Sequence, residues 1–195
     1  MITTGTFLPM HGQDSLCPFN NDRYLFEPVL SGDRLILARH ANGYRITNNL
    51  GNVVEGVELP TADKLPVDTV LDGVLVCATS VAGKRAQVTV LRRYVAFDLL
   101  VFKARSYLNE TMINRRIALE SLLQTITSNE LVAITWGHQY GVNLAHRWQR
   151  KGIKALYAKN IDGTYLPGII TPNWLHIQLH QRKRRYWDQR QFAVG

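Results

Sequence analysis

Apolar and polar positions alternate over short runs from residue 24 onward, the period-two pattern of half-buried strands. Arg34-Leu35-Ile36-Leu37-Ala38-Arg39 is one such run. Ala41-Asn42-Gly43 follows with an Asn-Gly hairpin signal, and Tyr44-Arg45-Ile46-Thr47 returns. Segments 69–76 and 86–98 are rich in β-branched and aromatic residues, and 155–159 and 174–179 read as later strands. The period changes at 112–126. There Ile113, Ile117, Leu119, Leu122 and Leu123 fall largely on one side of a helix, with Asn109-Glu110-Thr111 as its cap region. A shorter helix is expected at 143–150. Residues 1–22 carry Gly, Pro and Asn punctuation and read as a loop or N-terminal arm. Strands outnumber helices and connect by tight turns, so the expectation is an α+β fold of antiparallel sheets with flanking helices.

Composition adds bounds. A chain of 195 residues with 46% hydrophobic and 19% charged residues suits one globular domain. No apolar run approaches the roughly 20 residues of a membrane span, and the first residues lack a basic flank and an apolar signal core. The expected location is therefore cytoplasmic or nucleoid-associated. Cys17 and Cys77 have no metal-type spacing and read as reduced thiols. His138, His146, His176 and His180 share no metal-site spacing with carboxylates or cysteines, so no metal site is expected.

Charge changes the picture more. The net charge is +8, and Lys, Arg, Asp and Glu cancel over residues 1–146. The whole excess lies in the last quarter, including Arg147, Arg150, Lys151, Arg182, Lys183, Arg184 and Arg185, with Tyr186 and Trp187 following the last four. Clustered cations beside aromatic rings fit a nucleic-acid backbone and its bases, with salt-sensitive affinity and little sequence reading. A solvated tail has the same composition.

The motifs, taken in order, resemble a known family. Glu27-Pro28-Val29-Leu30-Ser31-Gly32-Asp33-Arg34 is similar to the Lys-x-Asp-Gly-x-Arg signature of the nucleotidyltransferases that include ATP-dependent DNA ligases, RNA ligases and mRNA capping enzymes. Leu71-Asp72-Gly73-Val74 resembles their Leu-Asp-Gly-Glu strand, and Phe97-Asp98-Leu99-Leu100 their Phe-Asp-Leu-Leu. Asn114-Arg115-Arg116 with Leu119 resembles the following Arg-Arg-x-x-Leu helix. Lys154 to Lys159 resembles Glu-Gly-x-x-x-Lys, Tyr165-Leu166-Pro167-Gly168 the Tyr-x-Pro-Gly loop, and Trp174 to Gln178 the Trp-Leu-Lys-x-Lys strand. Over roughly residues 22–180 the order is that of a DNA ligase adenylation domain.

The resemblance implies the ATP-grasp-like nucleotidyltransferase fold shared by DNA ligases and capping enzymes. It implies one domain over 1–195, with an arm at 1–22, a basic tail at 181–195 and no OB-fold domain. It also implies what is missing. The nucleophilic Lys slot holds Val29 and the signature Asp slot holds Ser31. The metal-linked carboxylate slots hold Val74 and Lys154, and the phosphate-clamping lysines are His176 and Gln178. A valine has no lone pair for the α-phosphate, and Mg²⁺ needs oxygen ligands. If a nucleotide is still held, the resemblance points to Glu27, Arg34, Phe97 and Lys159. The expected protein is a catalytically degenerate relative that binds nucleic acid, DNA rather than RNA, through its basic C-terminal surface, without a required cofactor. Two alternatives stay open: a minimal ATP- and Mg²⁺-dependent ligase with a displaced nucleophile, and a scaffold for a protein partner.

Overall fold

The computed structural model describes residues 7–82 and 87–179, with side chains at all of these except 78–82 and 87–91. The basic tail from Arg182 onward lies outside the described residues, as does His180.

Two sheets face each other. The first has the order β1 (His11–Ser15), β11 (Ile170–Gln178), β10 (Ala155–Asn160), β2 (Asn21–Pro28) and β9 (Gly137–Gln139). The second has the order β4 (Gly43–Asn48), β3 (Asp33–His40), β5 (Thr69–Ala82), β6 (Gln87–Phe102) and β7 (Arg105–Ser106), with β8 (Leu131–Ala133) pairing in parallel with β6. Pairing is antiparallel except for β6–β8 and β1–β11. This is the α+β arrangement expected.

Alternation along the strands makes the layers. On β3, Leu35 and Leu37 point to one face and Ile36 to the other, and all three are buried. The Leu35 face packs under helix α1 (Met112–Gln124) through Leu119, Leu122 and Leu123. The Ile36 face meets Met10, Phe97, Tyr165 and Trp174 between the sheets. Beyond the first sheet, Phe26, Leu156 and Ile177 pack against Ala145 and Trp148 of helix α2 (Gly141–Arg150). The order of layers is α1, second sheet, first sheet, α2.

Two expectations need correction. Residues 11–15, read as part of an arm, form β1, because β11 offers its edge to them in parallel from His11↔Ile170 to Ser15↔Ile177. On α1, Thr111 caps as expected, its hydroxyl accepting from the Asn114 amide. The buried side is shifted, however. Ile117 is 57% exposed, and Arg115 and Arg116 are fully buried in its stead, because carboxylates wait for them inside.

Candidate functional site

The sheets part at the end of β2 to leave a cleft holding about 160 Å³ of accessible space. The chain turns there from Pro28 through Val29 and Leu30 into β3. Val29 is fixed by its amide, which donates to the Ala155 carbonyl at 2.9 Å. The turn requires Gly32: a Cβ there would lie 2.3 Å from the Leu75 carbonyl oxygen. Gly73 is required likewise, since a Cβ would meet the Tyr94 ring and the Val95 carbonyl at 2.7 Å.

Register sets the walls. Arg34 pairs with Val74 across β3 and β5, and Val74 with Val95 of β6. Tyr157 of β10 stands opposite Glu27 of β2 and His176 of β11, and Lys159 stands opposite Trp174. Glu27, Arg34, Phe97 and Lys159 thus line one cavity, together with Val29 and Val74. Pro28 and Gly32 line it as well, and so do Leu30, Ile134 and Tyr157, which carried no sequence signal of their own.

The charged groups of the cleft turn toward one another. Arg34 Nε and Nη2 donate to Asp72 Oδ1 and Oδ2 at 3.1 and 2.6 Å. Asp72 also accepts from the Tyr165 hydroxyl at 2.6 Å, and that oxygen in turn accepts from the Met10 amide at 3.0 Å. Glu27 is ion-paired with Lys159 Nζ at 2.7 Å and with Arg116, which reaches through from α1. Beside them Arg115 Nε and Nη2 hold Asp98 Oδ1 and Oδ2 at 2.7 and 3.0 Å. Lys159 Nζ also stands 3.9 Å from the Trp174 ring centre and 4.3 Å from that of Phe97, and it is enclosed. The Arg34 guanidinium lies 5.1 Å from the same Phe97 ring. Phe97, 7% exposed, thus belongs to the core and presents only part of its surface to the cleft.

Burial shapes the titration. It pushes the Lys159 amine well below its ordinary range, and Arg116 down to about 10. Burial works against the Arg34 charge too, but the Asp72 carboxylate outweighs it and the pKa rises. Burial raises the Tyr157 and Tyr165 hydroxyls.

Among the described residues no three His, Cys, Asp or Glu side chains gather as metal ligands. The donor set also does not fit Mg²⁺. Val74 offers no oxygen, Lys154 is a cation at the surface, and Glu27, Asp72 and Asp98 are all taken by cations.

The remaining predicted positions lie apart. Ser31 and Gln178 are exposed, and the His176 ring pairs with Asp14 at 3.0 Å, outside the cleft lining. Arg147, Arg150 and Lys151 are exposed at the end of α2, on the far side of the first sheet from its packed face. Asp72, Asp98, Arg115 and Arg116 were missed as partners. Their motifs were visible, but which carboxylate meets which arginine is set by the stacking of α1 on the sheets.

Two facing sheets, a Gly-dependent turn at the head of β3 and this cleft give the chain the fold of the nucleotidyltransferase domains of ATP-dependent DNA ligases, and DNA ligases are what it is similar to in sequence. No family model matches the chain. It is 30% identical to DNA ligase 1 of Korarchaeum cryptofilum over 88 residues, 45% of this chain and 16% of that protein. It is 25% identical to the SPbeta prophage-derived DNA ligase-like protein LigB of Bacillus subtilis over 173 residues, covering 82% of this chain and 63% of that one. In structure it resembles the ligase domain of M. tuberculosis LigD, with a TM-score of 0.72 and 24% identity over 88% of this chain and 59% of that one. Mycobacterial DNA ligase D complexed with ATP and MES gives 0.71 and 22%, with 88% and 60% covered. The chain thus spans less than two thirds of each of these relatives. No helix among the described residues is long and apolar enough to cross a membrane.

Proposed function

We propose that this protein is a DNA-ligase-like protein without adenylation chemistry that binds DNA through a basic surface at the end of α2 and the basic tail. One contact carries the reading. The Leu179 amide donates to the Lys154 carbonyl at 2.7 Å, so the chain enters its basic tail beside Lys154. Arg147, Arg150 and Lys151 are exposed a few residues earlier. Arg147, Arg150, Lys151 and Lys154 are thus four exposed cations close in sequence, the last of them beside the end of β11, and like charges so clustered attract a polyanion. That the similar proteins are DNA ligases favours DNA over RNA.

The loss of chemistry rests on the cleft. Val29 stands in the nucleophile slot. Lys159, the amine nearest to a replacement, is enclosed by Glu27, Phe97 and Trp174 and cannot reach an α-phosphate without breaking its ion pair. A displaced nucleophile therefore has no support among the described side chains of the cavity.

The test has two arms. A nicked duplex should shift in a gel at about 50 mM salt and lose affinity by orders of magnitude near 200 mM. Labelled ATP with Mg²⁺ should leave no stable label on the protein. No shift at low salt, or a labelled protein, overturns the reading. So does a stoichiometric protein partner in the absence of DNA binding.

A further inference from the structure

Strand β8 leaves one edge open, and helix α1 stands along it. We propose that the groove between them takes an extended segment of a partner protein as an added strand. That segment carries an apolar residue and, two positions away, a Lys or Arg. The groove belongs to the α1 layer, on the opposite side of the sheets from α2, and it does not rest on the DNA-binding reading.

The backbone makes the edge. The Tyr94 amide donates to the Glu130 carbonyl at 2.6 Å, and the Ile134 amide donates to the Ala96 carbonyl at 2.8 Å. Residues 130, 132 and 134 therefore turn their backbone groups toward β6, while Leu131 and Ala133 turn theirs away. The Leu131 amide is met by the Ser128 hydroxyl at 3.3 Å. The Leu131 carbonyl and both backbone groups of Ala133 face outward, and no strand among the described residues pairs with β8 on that side.

The walls give it shape. The groove holds about 290 Å³ of accessible space between β8 and the Glu120, Leu123 and Gln124 side of α1. Ile126 and Ser128 mark one end. Glu120 marks the other, where the Trp136 indole donates to its Oε1 at 2.5 Å. Trp136 is 39% exposed, and Ile117, one turn before Glu120, is exposed as well. A strand edge beside a helix offers backbone hydrogen bonds for affinity and a wall that reads alternate side chains. A compact apolar ligand would leave the outward backbone groups unmet.

Charge selects the occupant. Glu120 is the charged side chain of the lining, and no Lys or Arg lines the groove, on a chain of net charge +8. Arg116, one turn earlier on α1, is turned inward to Glu27. Trp136 takes Glu120 Oε1, which leaves Oε2 and the indole face for a cation. Side chains two apart on a strand point the same way, so an apolar residue over Leu123 and Ile126 brings a basic one toward Glu120. A second copy docked through its own β8 would bring another carboxylate from its groove and no cation.

The experiment titrates the full chain, labelled at backbone nitrogen, with the peptide Ser-Thr-Val-Thr-Lys-Thr-Ser. The Ala133 amide should shift, with a Kd on the order of 100 µM. The same peptide with Glu for Lys should bind at least about tenfold more weakly. Two further copies are N-methylated at one or the other set of alternate amides. One should keep its affinity and the other lose it, because an added strand bonds through one edge. Ala133→Pro removes an outward N–H that β6 does not use, a place where an edge strand tolerates proline, and should weaken binding about tenfold or more. Should that variant fail to fold, Glu120→Lys on the helix surface should reverse the preference between the Lys and Glu peptides. The proposal is overturned if the Ala133 amide does not move at millimolar peptide, if the Lys and Glu peptides bind alike, or if both N-methylated copies do. It is also overturned if sedimentation shows a dimer that Ala133→Pro dissolves, since the occupant is then a second copy. DNA affinity should be the same in Ala133→Pro and the unaltered chain, which separates failure here from failure of the DNA-binding reading.

Discussion

Arg34 and Asp72 form a two-point clamp, Nε to Oδ1 and Nη2 to Oδ2, with the carboxylate fully buried and the arginine partly so. Arg34 thus spends two donors on its own chain. Arg34→Ala leaves a buried carboxylate without its cation, which costs about 3–5 kcal/mol. Tyr165→Phe removes a neutral donor to the same carboxylate and costs about 1–3 kcal/mol. Urea unfolding of both variants should rank them in that order.

On the proposed reading, an amine at position 29 alone should not bring adenylation. Val29→Lys returns an amine to the slot, but Val74, Lys154, His176 and Gln178 still supply neither metal ligands nor a phosphate clamp. The variant should carry no more label from ATP than the unaltered chain, as scored by autoradiography after denaturing electrophoresis.

The basic surface has its own signature. Arg147, Arg150 and Lys151 are exposed, so reversing all three to Glu should leave the fold in place. Some cost remains, about 0.3–1 kcal/mol each, because cations suit a helix C-terminus. DNA affinity should fall at low salt. The slope of log affinity against log salt should flatten by about 0.9 for each phosphate that is no longer neutralised. An unchanged slope excludes these side chains from the interface.

Close backbone approach separates the glycines. Gly73→Ala drives a methyl into the Tyr94 ring and the Val95 carbonyl and should cost about 1–3 kcal/mol or more. At Gly56, φ is +74° but no atom lies within 4 Å of an added Cβ, so alanine there meets only backbone strain of about 1 kcal/mol. Denaturation midpoints should differ accordingly.

The alkaline limb of stability follows from the buried tyrosines. Tyr94, Tyr157 and Tyr165 are held protonated above their ordinary range by burial. Near pH 10 the unfolded chain loses these protons while the folded chain keeps them, so stability falls as pH rises from there. Lys159 acts in the opposite sense. Its folded pKa is lowered, the unfolded chain binds the extra proton up to about 10.4, and stability rises with pH across that window. Lys159→Met should remove the rise and leave the fall. Tyrosinate absorbance should show the Tyr94 and Tyr165 hydroxyls ionising only as the fold is lost.

Local signals were legible where the partner is near in sequence. The β3–β4 hairpin pairs Ile36 with Thr47 around Gly43, and Thr111 caps α1 beside its own first turn. Glu27, Arg34, Phe97 and Lys159 were legible as a set because each sits in a motif, and they meet in one cleft. What was not legible depends on distant partners. Strand β1 needs β11, and β7, β8 and β9 are two or three residues long, too short to show a period. Arg115 and Arg116 were legible only as a helix motif, and they are interior because Asp98 and Glu27 come to meet them.

The pairing of β1 with β11 has a consequence for synthesis. His11 is among the first described residues to be made and Ile170 among the last, yet they are ladder neighbours. The Met10 amide likewise waits for the Tyr165 hydroxyl, which completes the shell around Asp72. On the ribosome the hairpins of the second sheet can assemble early, but the facing sheet cannot close until β11 has emerged. A nascent chain halted before residue 170 would therefore leave the Ile36 and Phe97 face of its second sheet uncovered, the kind of exposed apolar surface that favours aggregation.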